Sequence, residues 1–302
     1  KLRLWKGSNM TTDSHFVSLI IPTIGREALA LTKAALKSQT RPPDELIVVF
    51  DKYRRGPSWA RNQGFQKSKG DLIAFTDDDC VPGKDWLERM VAAIDKYDAA
   101  MVNSNYNETD LLLREIKQNR KFPTTTRINP DGFIGTAGNV LYRRKCLEQC
   151  KQHDGYVFNP IFRSYGGEDV DLAFRVRLKG HKLVYIDNNI KHLKAMTPLK
   201  YLSHQFKRGL GIGILYEEHK KKKHDVAPDK SLLWNNNKVR FAASKWLVMV
   251  WKKVLGPFDR NSFSSKKHFW AFWMGEKFQA IGFLYAVIYK YRHCQITEAE
   301  SE

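Results

Sequence analysis

The sequence predicts an α/β fold: a mostly parallel sheet with helices on both faces, followed by a C-terminal helical extension that is basic and rich in aromatic residues. Three observations carry this expectation. Short, β-branched apolar runs alternate with helical patterns along the first hundred residues, the order that builds a parallel sheet covered on both sides. The first three of those runs end in polar residues, at Thr23, Asp51 and Asp77–Asp79, and ligands of such sheets bind outside the carboxyl ends of the strands. The formal net charge of +19 is uneven, with +12 of it in residues 191–302.

The elements follow in order. Residues 1–15 are polar and mixed, a loosely held lead-in. Val17–Pro22 reads as a buried strand stopped by proline. Glu27–Ser38 has a helical pattern, which Arg41-Pro42-Pro43-Asp44 breaks. Glu45–Phe50 is a second buried strand ending at Asp51, and Trp59–Lys67 is helical. Asp71–Thr76 is a third strand that runs straight into the acidic triplet Asp77-Asp78-Asp79. Trp86–Tyr97 is a helix, Ala99–Asn103 a short strand, and Gly132–Tyr142 mixes glycines with a strand. Gly166-Gly167 opens a helix whose first residues are Glu168 and Asp169; its apolar face is expected on Val170, Ala173, Phe174 and Leu178, and Gly180 ends it. Leu183–Ile186 is a strand followed by a turn and His192. From Pro198 the character changes: Tyr201–Tyr216 is helical, His219–His224 is a solvated basic run, and Val239–Leu255 and Lys266–Tyr291 are aromatic-rich and amphipathic.

With 42% hydrophobic residues in 302, the chain can bury a sizeable core, which excludes wholesale disorder. Four cysteines, with Cys146 and Cys150 at helical spacing but without companions at zinc spacing, fit reduced thiols better than a disulfide scaffold. No signal peptide is visible, and the longest uncharged runs are about 12 residues where a spanning helix needs roughly 20. The expectation is a protein of a reducing compartment, cytoplasmic or peripheral on the cytoplasmic face of a membrane.

Several residues carry chemistry. Carboxylates clustered at a strand end repel one another unless a cation, basic neighbours or solvent compensates, and oxygen ligands suit magnesium, calcium or manganese. Placement after a buried strand makes Asp77, Asp78 and Asp79 a candidate metal site. Glu168 and Asp169 occupy a helix start, which favours negative charge by roughly 0.3–1 kcal/mol and makes Asp169 a candidate general base. His192 is a reasonable third metal ligand. Arg61 can face phosphates or a base. Gln205 and Arg208 share a helix face and can touch a diphosphate or an acceptor. Gly209, Gly211 and Gly213 imitate a dinucleotide loop but follow a helix rather than a strand, which excludes that reading.

The order of these pieces resembles the family-two glycosyltransferases, inverting enzymes with the GT-A fold. Val17–Glu27 (VSLIIPTIGRE), Glu45–Asp51 (ELIVVFD), Ala60–Gly64 (ARNQG), Gly70–Asp79 (GDLIAFTDDD), Gly166–Val176 (GGEDVDLAFRV) and the late NNIKHLK and QFKRG segments carry the match, over roughly residues 16–212. Two departures stand out. The first turn reads Pro22-Thr23-Ile24-Gly25, and Asp51 is followed by Lys52-Tyr53-Arg54-Arg55. Gly209 stands where the processive synthases of the family carry tryptophan, so a processive polymerase is not expected.

The resemblance implies a GT-A catalytic domain over residues 16–197 and an acceptor-side C-terminal region over 198–302. It implies transfer of a sugar from a nucleotide-diphosphate donor, UDP first, to a hydroxyl of a saccharide or lipid-linked acceptor, with a divalent metal, manganese or magnesium. Pro22, Thr23, Glu27, Asp51, Arg61, Asp77, Asp78, Gln205 and Arg208 would bind the donor; Asp79, Asp77 and His192 would hold the metal; Asp169 would be the base and Glu168 would orient the acceptor. The lysine and tryptophan stripes near the C-terminus suit an anionic membrane surface. The competing readings are a nucleotidyltransferase on a similar sheet and a basic nucleic-acid- or membrane-binding protein without catalysis. The acidic cluster and the lack of a recognisable nucleic-acid-binding motif disfavour a nucleic-acid partner.

Overall fold

The computed structural model describes residues 15–119, 125–129, 136–163, 166–188, 190–221 and 263–286. Two sheets and eight helices make up the described residues. The strands of the main sheet are β1 (Val17–Thr23), β2 (Glu45–Phe50), β3 (Leu72–Thr76), β5 (Met101–Asn103), β7 (Arg127–Ile128), β8 (Asn139–Arg143) and β9 (Leu183–Tyr185). They lie in the order β2-β1-β3-β8-β5-β9-β7. β1, β2, β3, β5 and β9 run one way, while β8 and β7 run against their neighbours. A second, three-stranded sheet joins β4 (Cys80–Pro82), β10 (Ile190–His192) and β6 (Tyr106–Glu108), with β10 in the middle.

Alternation along the strands sorts the core into two layers. Val17, Leu19 and Ile21 of β1 and Leu72 and Ala74 of β3 face α1 (Leu29–Lys37) and α3 (Trp86–Lys96), which contribute Leu36, Trp86, Leu87, Met90 and Ile94. Ile20, Ile73, Phe75, Val140 and Tyr142 point the other way, toward α2 (Pro57–Lys67), α5 (Arg144–Asp154) and α6 (Glu168–Leu178). Helices on both faces explain why β1 and β3 are largely apolar and almost wholly buried: neither face meets water. α2 lies close to the sheet because Gly64 has no side chain; a Cβ there would meet the Ile20 side chain.

The first three strands and their helices stand where the sequence placed them. α6 differs in detail. It buries Leu172, Ala173, Phe174 and Val176, whereas Leu178 is exposed. Gly180, at φ +76°, ends it in the left-handed region as expected.

The C-terminal helices α7 (Pro198–Lys221) and α8 (Lys266–Tyr285) run side by side in the same direction, Tyr201 beside Gly275 and Gly213 beside Phe283 and Ala286. The glycines of α7 serve this contact: a Cβ at Gly209 would strike the α8 backbone at Gln279. The pair seats on the sheet domain in two places. Tyr201, Ala271 and Phe272 pack with Leu112 and Ile116 of α4 (Leu111–Asn119), and Leu210 and Ile214 pack with Phe162. The expected stripe Val239–Leu255 and the end of Lys266–Tyr291 lie outside the described residues. Among the described residues, no helix is long and apolar enough to cross a membrane. Cys80, Cys146 and Cys150 are buried free thiols.

Candidate active site

The acidic triplet forms the turn between β3 and β4, closed by the Cys80 amide donating to the Asp77 carbonyl. Its three carboxylates have different partners. Asp78, 3% exposed, accepts from Thr23 Oγ1 at 2.6 Å and from Arg26 Nη1 at 2.7 Å, and its carbonyl accepts from Thr32. It thereby ties the turn to the end of β1 and to α1. Burial pushes its carboxyl above the usual carboxylate range despite those bonds. Arg26 also donates to Asp79 Oδ2 at 2.8 Å.

Asp77 faces α2 and α6. Arg61, 4% exposed on α2, donates from Nη2 to Asp77 Oδ1 at 2.9 Å and from Nη1 to Glu168 Oε1 at 3.0 Å. One guanidinium fork therefore joins the triplet to the start of α6, across residues far apart in the chain. A cation held between two carboxylates inside a protein is compensated on both sides. Asp169, beside Glu168, is half-buried and takes the Val170 amide on Oδ1 at 2.9 Å. Burial and the neighbouring Glu168 charge raise its pKa to about 7, against the opposing pull of Arg61 and Arg208. That is the range a general base at neutral pH needs.

The small sheet brings in His192. Its register sets His192 opposite Cys80 on one side and Glu108 on the other. His192 Nδ1 lies 2.8 Å from Glu108 Oε2, and Nε2 lies 3.5 Å from Asp79 Oδ1. The Tyr106 ring stacks on the imidazole at 4.6 Å, and its hydroxyl donates to Asp77 Oδ2 at 3.1 Å. Burial pulls the imidazole pKa down, but its bonds to Asp79 and Glu108 carry it to about 9. Burial likewise works against the Asp79 charge, yet His192, Arg26 and Lys194 together hold that carboxyl below its ordinary value.

Asp79, Cys80 and His192 each offer one ligand atom within 4.8 Å of the others. Burial and nearby carboxylates push the Cys80 thiol well up, so it stays protonated and is a poor ligand. The Asp79–His192 pair fits a divalent ion. Two ligands about 2.1–2.2 Å from one ion stand roughly 3.0–3.6 Å apart, and the imidazole has its second nitrogen on a carboxylate, the usual support of a metal-binding histidine.

The remaining expected residues sit as follows. Thr23 is buried and also accepts the Gly25 amide. Pro22 is half-buried in β1 opposite Val49, and Glu27 is exposed before α1, where Arg26 and not Glu27 reaches the triplet. Asp51 uses both carboxylate oxygens on the backbone amides of Arg55 and Gly56, closing the turn into α2. Arg208 lies against Gly166 and acts on Asp169, whereas Gln205 is 3% exposed and packs against Gly275 of α8. Five residues at the site escaped the sequence reading: Arg26, Tyr106, Glu108, Lys194 and His204. Lys194 and His204 are half-buried; loss of solvent lowers both pKa values, and the nearby Lys194 and Arg208 charges help carry that of His204 to about 3. The i, i+4 spacing of His204 and Arg208 was the available signal for one of them.

Residues 32–151 match the family model described as Glycosyl transferase family 2. Glycosyltransferase AglE of Haloferax volcanii is 31% identical over 129 residues, covering 33% of this chain and 42% of that protein. An uncharacterized glycosyltransferase of Haemophilus influenzae is 28% identical over 118 residues, covering 37% of this chain and 46% of that protein. The chain thus spans less than half the length of each of these relatives. Among solved structures, the mannosyltransferase PcManGT of Pyrobaculum calidifontis, in complex with GDP-Man and Mn2+, aligns over 91% of this chain and 88% of that one, with a TM-score of 0.55 at 15% identity, a likeness of fold. Over residues 32–151 the chain is thus similar to the family 2 glycosyltransferases, and the sheet order and the likeness to PcManGT show a GT-A-like α/β fold.

Proposed function

We propose that the protein is a metal-dependent, inverting glycosyltransferase that moves a sugar from a nucleotide-diphosphate donor to a hydroxyl of a saccharide or lipid-linked acceptor. The supporting observation is the Arg61 fork, which joins Asp77, read here as a donor-side residue, to Glu168, read as an acceptor-side one, within one cluster. Residues 16–197 form the catalytic domain, and residues 198–302 serve the acceptor, in the cytoplasm or at the cytoplasmic face of a membrane.

The roles follow from placement. Thr23 and Asp51 end β1 and β2, at the sheet edge where a nucleoside would lie, with UDP as the first donor to test. Asp77 and Asp79 with His192 would hold Mn2+ or Mg2+, which when bound supplies positive charge where the diphosphate departs. Arg26 and Lys194 add fixed positive charge beside the same carboxylates. Glu168, pinned by Arg61, orients the acceptor. Asp169 takes the proton of the acceptor hydroxyl while that oxygen attacks the anomeric carbon from the face opposite the leaving group. A single base and a single displacement invert the anomeric centre.

The test is Asp169→Asn. The variant is expected to bind the nucleotide donor as wild type does and to lose transfer by about 10²-fold or more. Full transfer activity in that variant would remove Asp169 as the base.

A further inference from the structure

The imidazole of His192 is held on three sides, and only one of its contacts is to a residue already given a role in the reaction. The Tyr106 ring lies flat against it, with 27° between the planes, and so fixes the plane of the imidazole. The Glu108 carboxylate meets Nδ1 at 2.8 Å and fixes its rotation within that plane. Both residues belong to β6, which pairs in register with β10, and Thr109 locks that register by donating from its amide and hydroxyl to the His192 carbonyl. In the neutral ring that a metal ion would bind, an Nδ1–H that donates to the carboxylate leaves the lone pair on Nε2. Nε2 is the atom that faces Asp79, at 3.5 Å.

We propose that Glu108 is the positioning residue of the metal site: through its bond to Nδ1 it selects the tautomer and rotation of His192 that present Nε2 beside Asp79. This deepens the metal reading of the preceding section and rests on it. Glu108 does not touch donor or acceptor in this scheme. Its side chain is 13% exposed and bonded to the histidine, and it acts on the ion only by way of the ring. Partners of this kind typically change metal affinity by 10–100-fold.

The experiment is a titration of Mn2+ followed by the electron paramagnetic resonance signal of the free ion, alone and with UDP or GDP present. It compares wild type, Glu108→Ala, Glu108→Gln, Glu108→Asp, His192→Ala and the double variant Glu108→Ala/His192→Ala. Thermal melting of each variant in EDTA establishes that it is folded. Glu108→Ala is expected to weaken Mn2+ binding about 10–100-fold. Glu108→Gln, whose side-chain oxygen still accepts from Nδ1, should recover most of the loss. Glu108→Asp, with its carboxylate drawn back by one methylene, should lose affinity with the smallest disturbance of the fold. On the His192→Ala background, Glu108→Ala should add less than about a twofold loss, because its only route to the ion is gone.

Wild-type affinity in Glu108→Ala or Glu108→Asp while His192→Ala binds weakly overturns the positioning role and leaves the metal reading standing. A full additional loss in the double variant, or a Glu108→Gln variant as weak as Glu108→Ala, also overturns it, since either assigns Glu108 a general structural or charge role. Unchanged Mn2+ affinity in His192→Ala removes the histidine from the metal site, and the deeper claim falls with it.

Discussion

A single methyl group at position 138 would meet two site residues at once. The Cβ of an alanine there would run into the Tyr106 hydroxyl and the Asp77 carboxylate, and those two groups are hydrogen-bonded to each other. Either the tyrosine leaves the His192 ring or the aspartate leaves Arg61. Gly138→Ala is therefore expected to keep the fold, by circular dichroism, and to weaken metal-dependent donor binding about tenfold or more in calorimetry. Asp169 sets a second expectation at this scale. Its pKa is raised to about 7, and a base works only when deprotonated. The rate under saturating substrates should therefore climb with pH through about 7 and level off above it, falling about tenfold per unit on the acid side. Arg61 lowers that pKa, so Arg61→Met should move the acid limb to higher pH, read from the same profile.

At the scale of elements, α7 is held by glycine. A Cβ at Gly211 would strike the Gly166 carbonyl directly, and the Gly167 position is closed by Phe162 and by the Gly211 carbonyl. Gly211→Val should destabilise the protein by about 1–3 kcal/mol in urea unfolding. It should also reduce transfer more than the stability loss explains, because Gly166-Gly167 leads into Glu168 and Asp169. The elements differ in how plainly the sequence announces them. Val17–Thr23 and Leu72–Thr76 are buried on both faces, so continuous apolar runs mark them, and the acidic turn after β3 is visible for the same reason. β4, β6 and β10 are three residues each, too short to show a period. Glu108 meets His192 across 84 residues, a separation that no local pattern encodes. Arg61 illustrates a different limit. The sequence placed a cation on α2 correctly, yet its pairing with two carboxylates depends on how α2 and α6 pack.

Across the whole molecule, the described part of the C-terminal region has two sides. Ala271, Phe272 and Gly275 of α8 are buried, while Trp270 is 54% exposed and Ile281 53%. Lys277 lies over the Trp273 ring on the same helix. Leu199, at the start of α7, is 79% exposed. Packing onto the sheet domain and an outward aromatic face thus coexist on one helix. Together with the +12 charge of residues 191–302, this supports contact with an anionic lipid surface. In flotation assays the protein is expected to rise with vesicles containing phosphatidylserine, to release at high salt, and to bind less after Trp270→Ala. No flotation with either neutral or anionic vesicles would end the membrane reading and leave a soluble saccharide as the acceptor.

The meeting of Gly211 with Gly166 also bears on engineering. Two backbones touch there without side chains between them, so the tail cannot be exchanged for that of a relative as an independent cassette. A chimera joined at Pro198 would have to import the donor's glycine spacing together with its recognition surface. Otherwise the graft would tilt away from the loop and carry the Glu168-Asp169 end of α6 out of alignment.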